Sequence, residues 1–597
     1  MPKTKNPYKD RLSALRTAIK SHGVDGFIVP KADEYQGEYA AAYAERLGWL
    51  TGFTGSAGQA IVLADKAVVL TDGRYTIQVA QQVDAALFET GNSVKISTGQ
   101  WLIDHAKGGD IIGYDPWLHT PEQIRKIEET LENKNIQLKA LERNPIDEIW
   151  KDRPAPPVAK VEIFPEKFAG LSTADKRAQI AAKLSAAKIH AAILTLPDSI
   201  AWLLNIRGGD LDYVPVVLSY AIINDKGLVT WFVAAEKIVP EIRKYLGNAV
   251  EIKDPSEIEK YIDSLAAQAK KSGHMLGLDF KRGSVWFKRR IEMQSARIKD
   301  FKDPCIAPKA CKTPAEQAAI KAAHIRDGVA LAGFLAWLEG EAPKGKLTEI
   351  SVAQKLEEFR RKDSSYRGSS FPTIAGFGPN GAIVHYRASE DSNAVIVPPG
   401  LLLLDSGGQY SSGTTDITRT IAIGKPSEEM RRNFTLVLKG HIAVARAQFP
   451  EGTVGSQIDA LARQPLWQEG LDYAHGTGHG VGCFLSVHEE AASLSSRGQE
   501  ALKPGMLLSN EPGYYKEGEY GIRIENLVMV QAPDDSGMLH FETISLAPID
   551  RRLIVKDMLT PDELQWLNAY HQTMYKALEA LVDKTTRVWL QAQTTPL

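Results

Sequence analysis

The sequence predicts an α/β (α+β) protein, with two related α/β domains ahead of a third, internally pseudo-symmetric one. Three observations carry that expectation. An amphipathic helix followed by an apolar strand occurs twice in the first half of the chain, as in α/β domains. Trp49 and Trp202 fall at matching places in the two passes. The rest of the chain holds two strand–turn–strand units, each preceded by a helical stretch and each carrying a pair of carboxylates.

Met1 to Asp10 is polar and basic, and Leu12, Leu15 and Ile19 continue at helical spacing, so Arg11 to Ile19 is predicted as an amphipathic helix. Gly26-Phe27-Ile28-Val29 reads as a strand, and Gly48 to Phe53 as a turn. Lys176 to Leu184, Ala192 to Thr195 and Ala201 to Ile206 repeat helix, strand and turn. Arg153-Pro154-Ala155-Pro156-Pro157 has the composition of a stiff linker, and a second boundary falls at Asp303 to Pro308. The expected domains are therefore 1–155, 156–308 and 309–597.

The third domain opens on Thr313-Pro314-Ala315-Glu316, a helix start with Thr as N-cap, Pro in the first turn and Glu reaching back. Leu401 to Leu404 make a buried strand ending at Asp405, and Ser406 to Thr414 are turn-rich. Asp416, Thr418 and Thr420 then alternate with Ile417, Arg419 and Ile421, as in a strand. A hairpin here predicts Asp405 opposite Asp416. Met506 to Asn510 followed by Glu511, and Gly521 to Val530 containing Glu525, repeat the arrangement; helices at Thr313 to Glu339 and Met430 to Phe449 precede the two units. Thr560-Pro561-Asp562-Glu563 starts a last helix, with Leu564, Leu567, Met574, Leu578 and Leu581 as an apolar stripe.

Composition narrows the function. Lys plus Arg number 71 against 73 Asp plus Glu, a net charge of -2, which gives no basic field for nucleic acid or an anionic membrane. Three cysteines, Cys305, Cys311 and Cys483, cannot all pair within the chain, a reducing-compartment pattern. No apolar run is long enough to span a bilayer, and a cytoplasmic protein is expected.

Between the two carboxylate pairs lies His475-Gly476-Thr477-Gly478-His479-Gly480-Val481-Gly482. Four carboxylates and an imidazole form an oxygen-rich donor set that suits two divalent cations of the Mn, Zn or Co type. Their formal charges balance two such ions and leave room for a hydroxide, so hydrolysis is the expected chemistry. The glycine-rich run lacks the Lys-Ser/Thr of a phosphate loop, and Val481 stands where a dinucleotide fingerprint needs its third glycine.

Asp405, Asp416, His479, Glu511 and Glu525, in that order, resemble the ligands of the pita-bread metallopeptidases, the family of methionine aminopeptidase, prolidase and aminopeptidase P. The His475–Gly482 signature, Val487-His488-Glu489, Glu511-Pro512-Gly513-Tyr514-Tyr515, Gly48 to Gly58 and Asp72-Gly73-Arg74-Tyr75 are most similar to the long, three-domain Xaa-Pro aminopeptidases. The resemblance implies two creatinase-like α/β domains capping a pita-bread catalytic domain. It implies that Asp416 and Glu525 bridge two metals, manganese first with zinc or cobalt as alternatives. Asp405 then serves one metal, and His479 and Glu511 the other, with Glu511 also the general base.

By the same resemblance His385 and His488 face the substrate, one at the scissile carbonyl and one at the proline site, and His475 sits at the rim of the pocket. Arg74 is a candidate substrate gate. Arg523, two residues before Glu525, is expected to hold a liganding carboxylate from behind. The plainer alternatives are a satisfied core histidine for His385 and His488, a loop residue for His475, a surface strand residue for Arg523, a solvated turn residue for Arg74, and a small buried residue for Cys483. The implied activity is removal of an N-terminal residue from short peptides with proline second, by a homodimer. A prolidase acting on Xaa-Pro dipeptides and a non-catalytic peptide- or histone-binding protein are the rivals. The long layout opposes the first, and the complete ligand set and lack of an acidic tail oppose the second.

Overall fold

The computed structural model describes residues 6–533 and 535–597; the first five residues of the polar N-terminal stretch lie outside the described part. The chain divides into two compact units, one of residues 1–164, 171–212 and 216–305, the other of 165–170, 213–215 and 306–597.

The first unit contains two six-stranded sheets with one plan. In one, the strands run Glu89–Asn92, Ala67–Thr71, Gln59–Leu63, Gly26–Pro30, Ile111–Tyr114, Gln137–Ala140 across the sheet; in the other, Val250–Lys253, Val229–Phe232, Tyr220–Asn224, Ala191–Leu194, Met275–Leu278, Arg297–Asp300. Parallel and antiparallel pairings fall at the same places in both. The central strands are apolar and buried because helices cover them. Helix Pro7–Ser21 contributes Leu12, Leu15 and Ile19, and helix Thr173–Ala186 contributes Ile180 and Leu184. The two expected turns are instead short helices, Arg46–Thr51 and Pro197–Leu203. Leu47 and Leu50 bury one face of the first, which Gly52 ends at φ 81°. Pro197 opens the second, with Ile200 and Leu203 buried. Trp49 stacks on Trp150 at 5.3 Å, and Trp202 is buried under Lys176 Nζ, 4.5 Å from its ring.

In the second unit the Thr313–Glu316 capping box forms as expected and starts helix Pro314–Glu341. Helix Glu349–Arg360 packs beside it, and both cover the sheet Ile374–Phe377, Gly400–Ser406, Ile417–Ile423. A second helix pair, Glu428–Ala445 and Gly455–Trp467, accompanies the larger sheet that carries Gly478–Gly480, Leu507–Asn510 and Asn526–Gln531. One register expectation fails. Asp405 pairs with Thr418, and Asp416 lies just ahead of its strand. The reason is a small inserted hairpin, Gly408–Tyr410 with Gly413–Thr414, which takes up the residues a simple turn would have shared between the strands. In the second half Asn510 pairs with Asn526, so Glu511 and Glu525 flank the end of their ladder. The terminal helix Pro561–Leu578 buries Leu567, Met574 and Leu578 within its own unit, while Leu581 stays 56% exposed.

Candidate metal centre

Asp405 is the last residue but one of the strand Gly400–Ser406 and Asp416 precedes Ile417–Ile423; His479 sits in the middle of Gly478–Gly480. Asp405, Asp416 and Glu525 are buried, and His479 and Glu511 are half-buried. One donor atom from each of Asp416, His479 and Glu525 lies within 4.8 Å of the others. His479 Nε2 is 3.5 Å from Asp416 Oδ2 and 3.4 Å from Glu511 Oε1.

The His479 ring is oriented by its own backbone. Nδ1 stands 2.9 Å from the Gly480 carbonyl, which can only accept, so Nδ1 carries the proton. Nε2 then faces two carboxylates, and what stands between them must be positive, a proton on the ring or a metal cation in its place. Two more oxygens point the same way: Asp405 Oδ1 and Glu525 Oε1 are buried with no hydrogen-bond partner among the described residues.

The electrostatics agree with that donor chemistry. Burial raises the Asp405 carboxyl above its usual range; Arg523 opposes the rise and Asp416 adds to it. Burial raises Glu511 also, against the pull of His479 and Arg523. Glu525 is raised well above the ordinary range by burial and then by Asp416, Glu511 and Asp405. Burial disfavours the His479 imidazolium, but Asp416 and Glu511 outweigh it and raise the group to about 9. Four acids crowded out of water around one imidazole lack positive charge, which divalent cations would supply.

Other side chains fix the cluster. Arg523 is buried, not on the surface: Nη2 donates to Asp405 Oδ2 at 2.6 Å, Nη1 to Tyr515 Oη at 2.7 Å and Nε to Thr418 Oγ1 at 3.2 Å. Thr418 Oγ1 donates to Glu525 Oε2 at 2.7 Å, and Ser509 Oγ to Glu511 Oε1 at 2.9 Å. Burial pushes the Tyr515 phenol up to about 12, although Arg523 opposes it, so the hydroxyl keeps its proton and donates to His475 Nε2 at 2.8 Å. His475 Nδ1 donates in turn to Gly476 O at 2.8 Å. His475 thus closes a directed chain from Arg523 through Tyr515. The ring of His488 meets that of His479 edge-on at 4.3 Å. His385 is half-buried, one residue beyond Val384, whose carbonyl lies 3.5 Å from Arg523 Nη2.

The glycine-rich run is explained by close packing of backbone. A Cβ on Gly478 would stand 1.9 Å from Ser509 O, and one on Gly480 2.7 Å from Glu489 O. Arg463, on helix Gly455–Trp467, holds the run by donating to Tyr473 O and His475 O at 2.8 and 2.6 Å. Cys483 is buried. In the first unit Arg74 forms a forked pair with Asp72 at 2.8 and 3.0 Å and lies over the Tyr75 ring. Sequence reasoning gave no role to Tyr515, Thr418 or Ser509. Thr418 had a usable signal, since it shares a strand face with Thr420 and follows Asp416 by two. Tyr515 stood within the motif Glu511 to Tyr515 without a role of its own, and Ser509 had no signal.

Comparison with known proteins adds the following. The model of metallopeptidase family M24 matches residues 318–532, and that of the C-terminal region of this peptidase group matches 537–597. Two models of the creatinase/prolidase N-terminal domain match 11–144 and 152–316. A probable Xaa-Pro aminopeptidase P from Neosartorya fischeri is 40% identical over 98% of this chain and 92% of its own length; one from Aspergillus niger is 40% identical over 98% of each. The crystal structure of an X-prolyl aminopeptidase from Caenorhabditis elegans, described as a cytosolic enzyme with a di-nuclear active site, superposes with a TM-score of 0.94 at 33% identity, covering 99% of this chain and 100% of that one.

Proposed function

The chain belongs to metallopeptidase family M24, within its Xaa-Pro aminopeptidase branch, and from that premise we propose that it removes the N-terminal residue from short peptides whose second residue is proline, using two divalent cations. The observation that carries this reading is that one donor atom from each of Asp416, His479 and Glu525 lies within 4.8 Å of the others, while buried oxygens of Asp405 and Glu525 have no hydrogen-bond partner among the described residues.

In this reading Asp405, Asp416, His479, Glu511 and Glu525 would hold the two cations, Asp416 and Glu525 serving both, Asp405 one, and His479 with Glu511 the other. Manganese is the proposed metal, with zinc and cobalt compatible with the same donors. When bound, the pair polarises the scissile carbonyl and acidifies a water. The protein does the rest. Glu511, its Oε1 already engaged by Ser509, takes up the proton of the attacking water on Oε2. His385 donates to the carbonyl oxygen as negative charge develops there. His488 lines the proline site, and His475, locked by Tyr515, closes its rim. Proline leaves a tertiary amide with no N–H, so recognition rests on the apolar ring and the peptide's α-amine. Arg74 is proposed as a gate for that substrate. A cytoplasmic setting fits the odd cysteine number, and among the described residues no helix is long and apolar enough to cross a membrane.

Three peptides test the proposal. Arg-Pro-Pro should be cut after Arg by manganese-loaded protein, Arg-Ala-Ala poorly, and Arg-Pro more slowly than the tripeptide. Chelation should abolish turnover, and Mn²⁺ should restore it better than Mg²⁺. Equal kcat/KM on the first two removes proline recognition, preference for Arg-Pro makes the protein a prolidase, and full turnover after exhaustive demetallation removes the metals.

A further inference from the structure

Asp405 and Asp416 are joined by a loop of ten residues or so, and two carboxylates brought together at its ends repel. Something must hold the two carboxylates together before a cation arrives. The loop is tied down by one buried ion pair from the helices behind the sheet. Asp327 lies on helix Pro314–Glu341 and Arg360 closes helix Glu349–Arg360; the two are 3% and 1% exposed.

Arg360 Nε donates to Asp327 Oδ1 at 2.7 Å and Nη2 to Oδ2 at 3.2 Å. The same guanidinium reaches the residues after Asp405, with Nη2 3.1 Å from Ser406 Oγ and Nη1 3.3 Å from Gly407 O. Asp327 reaches the other end: Oδ2 accepts from Thr415 Oγ1 at 3.0 Å, and Oδ1 accepts from Tyr410 Oη at 2.9 Å. Thr415 Oγ1 also accepts from Gly408 N at 2.9 Å, which draws the two sides of the loop together. The Asp327 carboxylate receives four hydrogen bonds, the condition under which a buried ion pair is tolerated. Neither residue touches a proposed ligand, yet each is bonded to the neighbour of one.

We propose that Asp327 and Arg360 are positioning residues for the metal centre, setting the spacing of Asp405 and Asp416 through Thr415 and Ser406. The inference rests on the function proposed above. Holding the carboxylates together in advance lowers the cost of cation binding, so loosening the link should appear in metal affinity itself. Supporting groups of this kind typically contribute about 10–100-fold in metal affinity.

The test is calorimetric titration of metal-stripped full-length protein with Mn²⁺, comparing wild type, Thr415→Val and Thr415→Ser, with melting curves for each. Valine keeps the shape of threonine and loses the hydroxyl; serine keeps the hydroxyl and loses the methyl. The clamp requires Thr415→Val to bind Mn²⁺ about 10–100-fold more weakly while Thr415→Ser stays near wild type. Wild-type affinity in Thr415→Val, or loss in Thr415→Ser alone, would overturn it, since then only packing matters. If Thr415→Val does not fold, Ser406→Ala replaces it, and unchanged affinity there overturns the clamp equally. A wild type that takes up no second cation defeats the functional reading itself, and the clamp with it; a two-cation wild type matched by Thr415→Val defeats the clamp alone.

Discussion

At the scale of single residues, what matters is whether a side chain acts on the ground state or only as charge develops. The metal-ligand candidates act at all times, so losing one should lower occupancy and turnover together. His385 is proposed to act late. An oxyanion donor of this type is worth about 10²–10³ in kcat, so His385→Ala should retain both cations and lose turnover by that factor. Metal content falling in step with activity would make the residue structural. Histidines elsewhere have a different duty. His441 Nδ1 donates to Asn510 O at 3.1 Å, so its Nε2 accepts from Asn526 Nδ2 at 3.1 Å, and His571 Nε2 accepts from Ile549 N at 3.2 Å. Both rings must be neutral. Burial first, then Arg419, lowers each to about 3. The unfolded value lies near 6.5 (about that for a model peptide), so the unfolded chain takes up protons that the folded one refuses. Their contribution is complete above about 6.5 and is lost as pH falls from there through about 3. The urea midpoint should therefore drop between pH 7.5 and 4.5, and by less in a His571→Gln variant. A variant that loses as much as wild type would clear His571 of the effect.

At the scale of elements, one buried cluster joins the segment before helix Pro314–Glu341 to the strand after His488. Lys309, on helix Ile306–Ala310, lies 3.0 Å from Glu489 Oε1, and Lys312 contacts Oε2, all three about 1% exposed on their side chains. Two ammonium groups share one carboxylate. Glu489→Gln removes the negative charge that both ammonium groups share, and breaking a buried ion pair by removing one partner typically costs about 3–5 kcal/mol. Lys312→Met leaves a one-to-one pair and should cost far less, as urea unfolding of the two variants would tell; equal losses would mean that packing, not charge, dominates. The same scale shows what sequence made legible. Helix starts at Thr313 and Thr560 and the strand Leu401 to Leu404 could be read because their signals lie within a few residues of one another. The register of Asp405 could not, because Thr415 and Gln409 fix the inserted hairpin through Asp327 and Leu485, 88 and 76 residues away. The candidate ligands are legible as a motif, whereas Arg523 reaches Asp405 across 118 positions and only its strand parity hinted at it. The short helices at Arg46–Thr51 and Pro197–Leu203 escaped because their apolar faces are a single turn long.

At the scale of the whole molecule, the terminal helix turns its stripe inward, so Leu567, Met574 and Leu578 do not require a partner. A homodimer is still the proposed state, on family resemblance, and light scattering at micromolar concentration should report twice the 65.6 kDa chain; a species of one chain mass would refute it. The two halves of the second unit, each a helix pair with a sheet, have a consequence of their own. Asp405 and Asp416 come from one half and Glu511 and Glu525 from the other, and among the described residues the clustered donors include one nitrogen, that of His479. Two seats built from equal oxygens and one imidazole are unequal seats. On the proposed two-cation reading, a limiting supply of divalent ions would be shared unevenly: the tighter seat would fill ahead of the other, and protein short of metal would be half-charged, not a mixture of full and empty copies.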